Sequence, residues 1–276
     1  MPEGVEVRLS ADLTRPLLVG KNIINAFPTK NGRYSTYPLS GFNSFIETIK
    51  QMPVKILGVD NKGKFMYWSF SNDWYMFSTF GMTGQWSPQE GKHSCFGFYL
   101  GDSPDSFETM YFNDPRHFGT IKFVQGKSHL NKKLEELGWD PFKSDYLDYK
   151  SFIKKKIYNN KPIGQLLMNQ AIFAGVGNYI RAEALYLSSI SPWRLGSSLS
   201  EPEIDLLCNS IVQVMQESYQ HQGATINTYK TSYGEDGKYS SIFKVYGQNT
   251  DSLGNKIVRE TTPDGRTIHW CPAIQK

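Results

Sequence analysis

The segment Ala174-Gly175-Val176-Gly177-Asn178-Tyr179 decides how the second half of this chain folds. It follows an apolar helical stretch around Leu166-Leu167-Met168 and leads into a second helix, predicted over residues 179–187. A glycine-rich turn at a helix start exposes backbone N–H groups that suit an anion such as phosphate. Asn178 is predicted either to cap this helix or to bind phosphate directly. No strand precedes the turn and no third glycine follows in place, which argues against a dinucleotide fold.

The residues after this turn predict a helical domain that ends in a β-hairpin. Ser200 and Glu203 have the spacing of a capping box, and apolar residues from Ile204 onward recur at helical intervals. Over residues 223–241 the composition changes to Gly, Ser, Thr and Tyr, which predicts a long mobile loop. Residues 243–270 alternate around a Pro-Asp-Gly turn and are typical of a hairpin.

The residues before the turn predict a β-rich domain. An N-terminal helix ends near Gly20, and a second short helix carries Phe42, Phe45, Ile46 and Ile49 on one face. Many short strands separated by Gly, Pro and Asn turns are typical of a β-sandwich or barrel. The predicted strands cover residues 54–60, 64–70, 74–79, 96–100, 109–112 and 120–123.

The predicted fold class is therefore α+β, in a chain of 276 residues that has room for two compact domains. We expect an N-terminal domain over residues 1–130, in which the first helix precedes a β-sandwich. Residues 131–150 are predicted as a linker with one short helix at 132–137. The helical domain covers 151–242, and the hairpin covers 243–276.

The bulk properties favour an intracellular protein. The chain has no run of about eighteen apolar residues and no charged-then-apolar signal pattern. Cys95, Cys208 and Cys271 are far apart and form no Cys-x-x-Cys pair. This spacing favours a reducing compartment and argues against a disulfide framework or a cysteine-rich zinc site.

The charge of the chain is mildly basic, with a net value of +4. Such a charge permits nucleic-acid binding without demanding it. Several lysines crowd the middle of the chain, and a run of this kind is usually a solvated charged face. They are Lys127, Lys132, Lys133, Lys143, Lys150, Lys154, Lys155, Lys156 and Lys161.

The hexapeptide Met1-Pro2-Glu3-Gly4-Val5-Glu6 predicts either a catalytic amine or an ordinary helix start. Removal of Met1 would leave Pro2 with a secondary amine. A free α-amino group titrates near pH ~8, against ~10.4 for a lysine side chain, so it is partly nucleophilic at neutral pH. Beside the acids Glu3 and Glu6, such an amine could open a sugar at C1′ through a Schiff base. Proline and acidic residues are also ordinary in a first helical turn, and six residues alone favour that interpretation.

Seven short motifs occur in one order along nearly the whole chain. They are Pro2-Glu3-Gly4-x-Glu6-Val7, Lys62-Gly63-Lys64-Phe65, Phe80-Gly81-Met82-Thr83-Gly84, Asn113-Asp114-Pro115-Arg116-His117-Phe118-Gly119, Gly175-Val176-Gly177-Asn178-Tyr179, Val245-Tyr246-Gly247 and Arg266-Thr267-Ile268-His269-Trp270. In this order they resemble the formamidopyrimidine-DNA glycosylase/endonuclease VIII (Fpg/Nei) family. The resemblance implies a helix–two-turn–helix in the helical domain.

The resemblance implies a catalytic role for the N-terminus. Pro2 would be the nucleophile that attacks C1′ of the damaged nucleoside. Glu3 would be the acid/base that assists ring opening, with Glu6 as a supporting carboxylate. Lys64 matches the lysine that contacts phosphate beside the lesion, although a turn lysine is otherwise more often merely solvated.

Three residues match the family's set that fills the gap left by an extruded base: Met82, Arg116 and Phe118. Flipping a base costs a few kcal/mol, and inserted apolar wedges offset part of that cost. Core packing is the alternative for Met82 and Phe118. His117 stands where the family often has a second phosphate-binding arginine, so that contact is predicted to be weaker or pH-sensitive.

The C-terminal half matches the family's other DNA contacts. Asn178, with Gly177 in the turn before it, resembles the phosphate site of the helix–two-turn–helix. Arg266 matches the finger arginine that clamps phosphates around the flipped nucleotide. The loop after Gly223 resembles a lesion-capping loop. Its candidate residues are Thr225, Tyr229, Tyr233 and Tyr239.

The chain departs from the family pattern at both ends. Zinc-bearing members have four cysteines in the finger, whereas this chain has only Cys271 there. The tail is therefore similar to the zincless-finger Nei-like branch, and we expect no metal and hairpin packing in its place. Val5 replaces the usual proline after Pro-Glu-Gly, which leaves the rigidity of the first turn open.

These observations predict a bifunctional DNA glycosylase/AP lyase of base excision repair. It would excise oxidised pyrimidines, formamidopyrimidines or both, and cut the strand by β,δ-elimination without a cofactor. The expected partner is damaged double-stranded DNA, with single-stranded DNA left open. We expect a monomer with no membrane partner, in the nucleus, the cytoplasm or a viral factory. The alternatives are a non-catalytic damaged-DNA binder and a structured-RNA binder on the same scaffold.

Overall fold

The computed structural model describes residues 2–30, 32–103, 106–224 and 237–276. These residues fall into two compact units. The first contains Pro2 and Glu6–Glu135, and the second contains Glu3–Val5, Glu136–Ala224 and Lys238–Lys276. The first unit is built on strands and the second mainly on helices, so the predicted α+β fold is confirmed.

The first unit is a β-sandwich of eight strands that follow helix α1 (Gly4–Leu18). The strands are β1 (Asn22–Pro28), β2 (Val54–Lys62), β3 (Phe65–Phe70), β4 (Trp74–Thr79), β5 (Gln85–Ser87), β6 (Ser94–Ser103), β7 (Ser106–Asn113) and β8 (Thr120–Gln125). They pair in the order β5-β7-β6-β1-β2-β3-β4-β8. β1 meets β2 at only two residue pairs, so the two four-stranded halves form the layers of the sandwich.

Aromatic rings fill the core of the sandwich. Phe45, from helix α2 (Phe42–Gln51), stacks on Phe123 with ring centroids 4.4 Å apart. Trp68 stacks on Phe98 at 5.3 Å. Phe45, Trp68 and Phe98 are fully buried, and rings of this size contribute much of the apolar area that a core removes from water. The apolar face predicted for α2 is confirmed.

Two strands were not predicted, and the hairpin turn predicted at Asn61-Lys62-Gly63 lies further along the chain. β1 was missed because its apolar and polar residues do not alternate, and β5 because it has only three residues. β2 continues as far as Lys62, so the hairpin turn is formed by Gly63 and Lys64. Gly63 has a φ of +54°, in the left-handed region that favours glycine.

Helices extend into the segment predicted as a linker. α3 (Lys127–Glu135) begins before the predicted short helix, and α4 (Tyr146–Ile157) begins inside the linker. The Asp145 side chain caps α4 by accepting a hydrogen bond from the Leu147 N–H at 2.8 Å. The remaining helices are α5 (Ile163–Leu166), α6 (Asn178–Leu187) and α7 (Glu201–Gln220), with short 3₁₀ helices at Arg33–Ser35, Gly196–Ser198 and Tyr239–Ile242.

The second unit ends in the predicted hairpin. β9 (Val258–Thr261) pairs antiparallel with β10 (Thr267–Trp270), from Thr267 opposite Thr261 to Trp270 opposite Val258. Across the part of the chain that the structure describes, none of the helices combines the length and apolar character that a membrane span requires.

The capping box predicted before α7 is confirmed. The Ser200 N–H donates to the Glu203 carboxylate at 2.8 Å, and the Ser200 hydroxyl donates to it at 2.7 Å. Arg194 also donates two hydrogen bonds to this carboxylate. One acidic side chain therefore fixes both the start of α7 and the segment before it.

Glu203 gives the fold a defined pH dependence. Hydrogen bonds from Arg194 and Ser200 lower the pKa of Glu203 to about 2, against about 4.3 in an unfolded chain. The ionised carboxylate therefore stabilises the fold above pH ~4.3, and this contribution is lost as the pH falls towards ~2. We expect Glu203→Gln to lower Tm at pH 7. The difference in Tm from the wild type should shrink as the pH falls from ~4.3 towards ~2. Thermal unfolding by circular dichroism checks this, with Glu201→Gln as the exposed control; a pH-independent difference would contradict it.

Candidate functional site

The Glu3 carboxylate lies at the start of α6. One oxygen accepts a hydrogen bond from the Tyr179 N–H at 3.0 Å, and the other accepts one from the Ile180 N–H at 3.3 Å. Glu3 is 2% exposed. A helix N-terminus has unpaired N–H groups and a partial positive charge, both of which favour a carboxylate there. The helix is therefore capped by a side chain that is distant in sequence.

Glycines allow this close approach. The Gly4 N–H donates to the Gly175 carbonyl at 2.9 Å. A Cβ atom at Gly4 would lie 2.7 Å from the Gly175 Cα, and one at Gly177 would lie 2.1 Å from the Glu3 Cδ. Both distances are shorter than any real contact of a Cβ atom, so a side chain at either position would force Glu3 or its backbone to move. The two glycine motifs of the sequence thus fit against each other.

Asn178 does not cap the helix, so that prediction is wrong. The N-cap residue is Gly177, and no side chain of its own caps the helix there. The Asn178 amide instead donates to the Thr267 carbonyl at 2.9 Å and accepts from Arg181 at 2.6 Å. The predicted phosphate cradle also needs correction, because Glu3 already occupies two of the N–H groups at this turn.

Arg181 is a buried cation that the sequence prediction missed. It is 0% exposed and donates to the Gly164 carbonyl, to the Thr262 hydroxyl and to Asn178. Burial lowers its pKa, while the Asp264 carboxylate, 3.7 Å away, opposes that shift. The available signal was the pair of charges, Arg181 and Glu183, among the apolar residues of α6.

Asp264 joins this buried arginine to the finger arginine. Arg266 donates to the Asp264 carboxylate at 2.9 Å and is about half-exposed. Burial alone would raise the pKa of Asp264, but hydrogen bonds from Thr262 and Arg266 and the charge of Arg181 lower it overall. Asp264 is therefore ionised at neutral pH, and it holds one edge of the Arg266 guanidinium in place.

The root of the finger is fixed by Glu183. Its carboxylate accepts hydrogen bonds from the backbone N–H groups of Lys244, Val245 and Tyr246, at 2.8, 3.0 and 2.8 Å. Burial raises the pKa of Glu183, and the three N–H donors oppose that shift. The backbone of Lys244, Val245 and Tyr246, which includes the first two residues of the Val245-Tyr246-Gly247 motif, thus forms a nest for an acid of α6.

A second carboxylate stabilises the turn next to Cys271. Asp251 accepts from the N–H groups of Leu253 and Asn255, at 2.9 and 2.8 Å, and from the Tyr186 hydroxyl at 3.1 Å. The buried Cys271 thiol lies 3.7 Å from the same carboxylate. Among the described residues no group of three or more metal-ligating side chains occurs. Hydrogen bonds centred on Asp251 hold this turn.

The catalytic candidates of the first unit are buried or half-buried. Pro2 and Glu6 are buried, and Lys64 is half-buried at the β2–β3 turn. The turn is held on one side by Lys62, which donates to the Leu134 carbonyl at 2.9 Å, and by Asn61, which donates to Gly63 at 3.0 Å.

The gap-filling candidates lie on two loops that one buried acid joins. Asp114 accepts from the Gly119 N–H at 2.6 Å and from the Thr83 hydroxyl at 3.1 Å. Phe118 is 56% exposed, so core packing does not explain it, and the Arg116 guanidinium lies 5.4 Å from its ring centre.

Met82 and His117 lie on the same two loops. Met82 is half-buried. His117 has a φ of +57°, and its carbonyl accepts a hydrogen bond from Arg33 at 2.6 Å.

Only one of the four lesion-loop candidates, Tyr239, lies among the residues that the structure describes. Thr225, Tyr229 and Tyr233 lie outside them. Tyr239 is 2% exposed and packs with its ring 6.0 Å from that of Tyr179 and 5.5 Å from that of Phe243. Tyr239 therefore does not belong to the predicted mobile loop, because it begins a 3₁₀ helix and its ring lies in the core of the second unit.

Two family models match the chain. The formamidopyrimidine-DNA glycosylase N-terminal domain matches residues 1–121, and the formamidopyrimidine-DNA glycosylase H2TH domain matches residues 137–230. The formamidopyrimidine-DNA glycosylase of Rickettsia felis is 31% identical over the whole chain and 98% of that protein. The Thermus thermophilus protein of the same name is 28% identical with the same coverage. This chain belongs to the formamidopyrimidine-DNA glycosylase family.

Solved structures agree with that assignment. A Lactococcus lactis FPG variant in complex with Fapy-dG-containing DNA superposes with a TM-score of 0.85 at 26% identity, covering all of both chains. The Thermus thermophilus MutM (FPG) protein gives a TM-score of 0.83 at 26% identity, covering 99% of this chain and 98% of that one. The wild-type Lactococcus lactis protein, in complex with DNA that contains an oxidized pyrimidine, gives 0.84 at 25% identity over all of both chains.

The contact of Glu3 with Gly177 predicts a strong energetic coupling. We expect Glu3→Ala and Gly177→Ala each to lower the free energy of unfolding by about 2 kcal/mol, because each removes the carboxylate from its N–H donors. The double variant should lose little more than the worse single one. Urea unfolding of the four proteins measures this cycle. Additive losses would show that Gly177 acts through some contact other than Glu3.

Proposed function

We propose that this chain is a bifunctional DNA glycosylase and AP lyase that excises oxidised bases in base excision repair. Its family supports a DNA glycosylase of DNA repair that acts on damaged double-stranded DNA. The single observation that carries the lyase half is the fixed carboxylate of Glu3. Because Glu3 follows Pro2 directly, an acid is held next to the amine that removal of Met1 would free.

The proposed reaction begins at the Pro2 amine, whose lone pair attacks C1′ of the damaged nucleoside. The bond from C1′ to the base breaks, its electron pair leaves with the base, and the base takes up the proton that the Pro2 nitrogen loses. The Glu3 carboxylate takes a proton from solvent and passes it to the ring oxygen, so the sugar opens and leaves an iminium ion between Pro2 and C1′. Loss of a C2′ proton then expels the 3′-phosphate, a second elimination expels the 5′-phosphate, and water releases Pro2.

We propose oxidised pyrimidines, formamidopyrimidines or both as the bases that are removed. Extrusion of such a base leaves a gap that Met82 and Phe118 would fill, while Arg116 would address the partner base. The exposure of Phe118 and the position of the Arg116 guanidinium beside its ring support this assignment.

Phosphate contacts are proposed for Lys64, His117, Asn178 and Arg266, with Gly177 giving Asn178 its position at the start of α6. Arg266 supports this best. A guanidinium has five N–H donors in a fixed fork, and Asp264 occupies only one edge of it. The side chain is about half-exposed, and its hydrogen bond with Asp264 orients it before DNA binds.

The iminium intermediate provides the decisive test. We expect the protein with a free Pro2 terminus, checked by mass spectrometry, to form a covalent adduct with abasic DNA in the presence of borohydride. Pro2→Gly should reduce the yield at least about tenfold, because both steps pass through this one nucleophile. A tag fused ahead of Pro2 should abolish the adduct and leave DNA binding in place.

Two results, one from borohydride trapping and one from a comparison of binding, would favour the alternatives. Binding of abasic DNA without any adduct, from protein with a confirmed Pro2 terminus, would favour the non-catalytic binder. Tighter binding of structured RNA than of lesion duplex or plain duplex, measured side by side, would favour the RNA-binding alternative.

Arg266 also predicts the salt dependence of DNA binding. Each phosphate that a cation neutralises releases counterions from the duplex, so affinity falls as salt rises. We expect Arg266→Gln to reduce the slope of log K against log salt by about 1 and to weaken all duplexes alike. Fluorescence anisotropy across a salt series measures this slope. Lys256→Gln, an exposed cation of the same hairpin region, is the control; an equal change in both variants would contradict a specific contact.

A further inference from the structure

The outer face of the β-sandwich carries aromatic residues that the proposed reaction does not use. Phe27 of β1, Tyr99 of β6 and Phe107 of β7 form a continuous row, with ring centroids 4.5 Å apart between the first two and 4.4 Å between the last two. Tyr111 of β7 contacts Phe27 at 6.2 Å. Ala26, Phe98 and Met110, which are next to Phe27, Tyr99 and Tyr111 along their strands, are buried in the core.

Packing over a glycine explains only part of this arrangement. Phe27 and Tyr111 stand on either side of Gly97 in the sheet, and a Cβ atom at Gly97 would lie 2.9 Å from both rings. Aromatic cover of a strand glycine stabilises a sheet. It does not require Phe107, which is 46% exposed at the far end of the row.

A cavity of about 640 Å³ opens beside these rings. Phe27, Tyr99 and Tyr111 form its apolar side, and Lys30 and Lys92 lie in its lining with Glu90 as the counter-charge. A volume of this size is within the range of sites that hold small organic groups, roughly 300–1,000 Å³. Aromatic walls with exposed cations at the edge are suited to a base and its phosphate.

The cavity continues towards the loops that carry the gap-filling residues. A second groove of about 300 Å³ shares Glu90, Gly91 and Lys92 with it. That groove also reaches Thr83 and Pro115, the immediate neighbours of Met82 and Arg116. Because they share this wall, we treat the two cavities as one path from the aromatic rings towards the proposed wedge.

We propose that this path, which we name the aromatic groove and define by Phe27, Tyr99, Tyr111, Lys30 and Lys92, binds single-stranded DNA. Bases stack on Phe27 and Tyr99, and phosphates pair with Lys30 and Lys92. Stacking accepts any base. The groove therefore binds an unpaired stretch of the DNA strand that extends from the wedge, and it does so without sequence preference. The choice of DNA as the occupant rests on the proposed function, because the groove begins at the loops assigned to base extrusion.

The test measures binding by anisotropy with a labelled single-stranded oligothymidylate. We expect Phe27→Leu and Lys92→Gln each to weaken binding about fivefold or more, the loss that follows from one stacked base or one phosphate contact. Phe27→Leu keeps an apolar cover over Gly97, and its Tm is recorded. Lys55→Gln, an exposed lysine on β2 away from the groove, is the matched control and should bind as the wild type does.

The result is independent of the reaction chemistry. Protein with a tag ahead of Pro2 should show the same groove-dependent binding, so failure of borohydride trapping and failure of the groove are separate results. In the unmodified protein, an oligonucleotide that contains bromodeoxyuridine should photo-crosslink to Phe27 or Tyr99. Crosslinks only elsewhere, unchanged binding in both groove variants, or saturable binding of a proline-rich peptide that the oligothymidylate does not displace would overturn the proposal.

Discussion

The hydrogen bonds between the start of α6 and the Glu3 carboxylate are the interaction on which the rest of the site depends. A helix N-terminus readily binds phosphate, but here the chain's own carboxylate fills it. Two consequences follow. The carboxylate that follows Pro2 has a fixed position, and the N–H groups of Tyr179 and Ile180 are already occupied by it rather than open to a phosphate. The close contacts of Gly4 with Gly175 and of Gly177 with Glu3 make this arrangement sterically exacting.

Helix α6 organises the second unit through three polar contacts in ten residues. Its start binds Glu3, its Arg181 holds Asn178 and faces Asp264, and its Glu183 binds the root of the finger. Buried charges seldom add stability over apolar packing, because desolvation offsets their attraction. They do fix direction, since each carboxylate or guanidinium is satisfied in only one arrangement. The finger and the N-terminal acid are thus oriented by the same short helix.

The features that residues close in sequence determine were predicted correctly. The capping box at Ser200, the span of β4 and the C-terminal hairpin were all predicted from neighbouring residues. The predicted cap by Asn178 was wrong because Glu3, at the other end of the sequence, binds the same helix start. Arg181 was missed because its partners Thr262 and Asp264 are distant along the chain, and β5 because three residues carry no period. The catalytic roles came from the order of motifs, which no single segment could supply.

The most direct measurement of the central claim is the rate of borohydride trapping by a Gly177→Ala protein with an intact Pro2 terminus. A Cβ atom at this position would lie 2.1 Å from the Glu3 Cδ, so it displaces the acid and leaves the amine chemically unaltered. We expect a trapping rate at least about tenfold below that of the wild type, measured at a concentration of abasic DNA that saturates each protein. A folded Gly177→Ala protein that is trapped at the wild-type rate under saturation would show that the position of Glu3 does not govern the reaction.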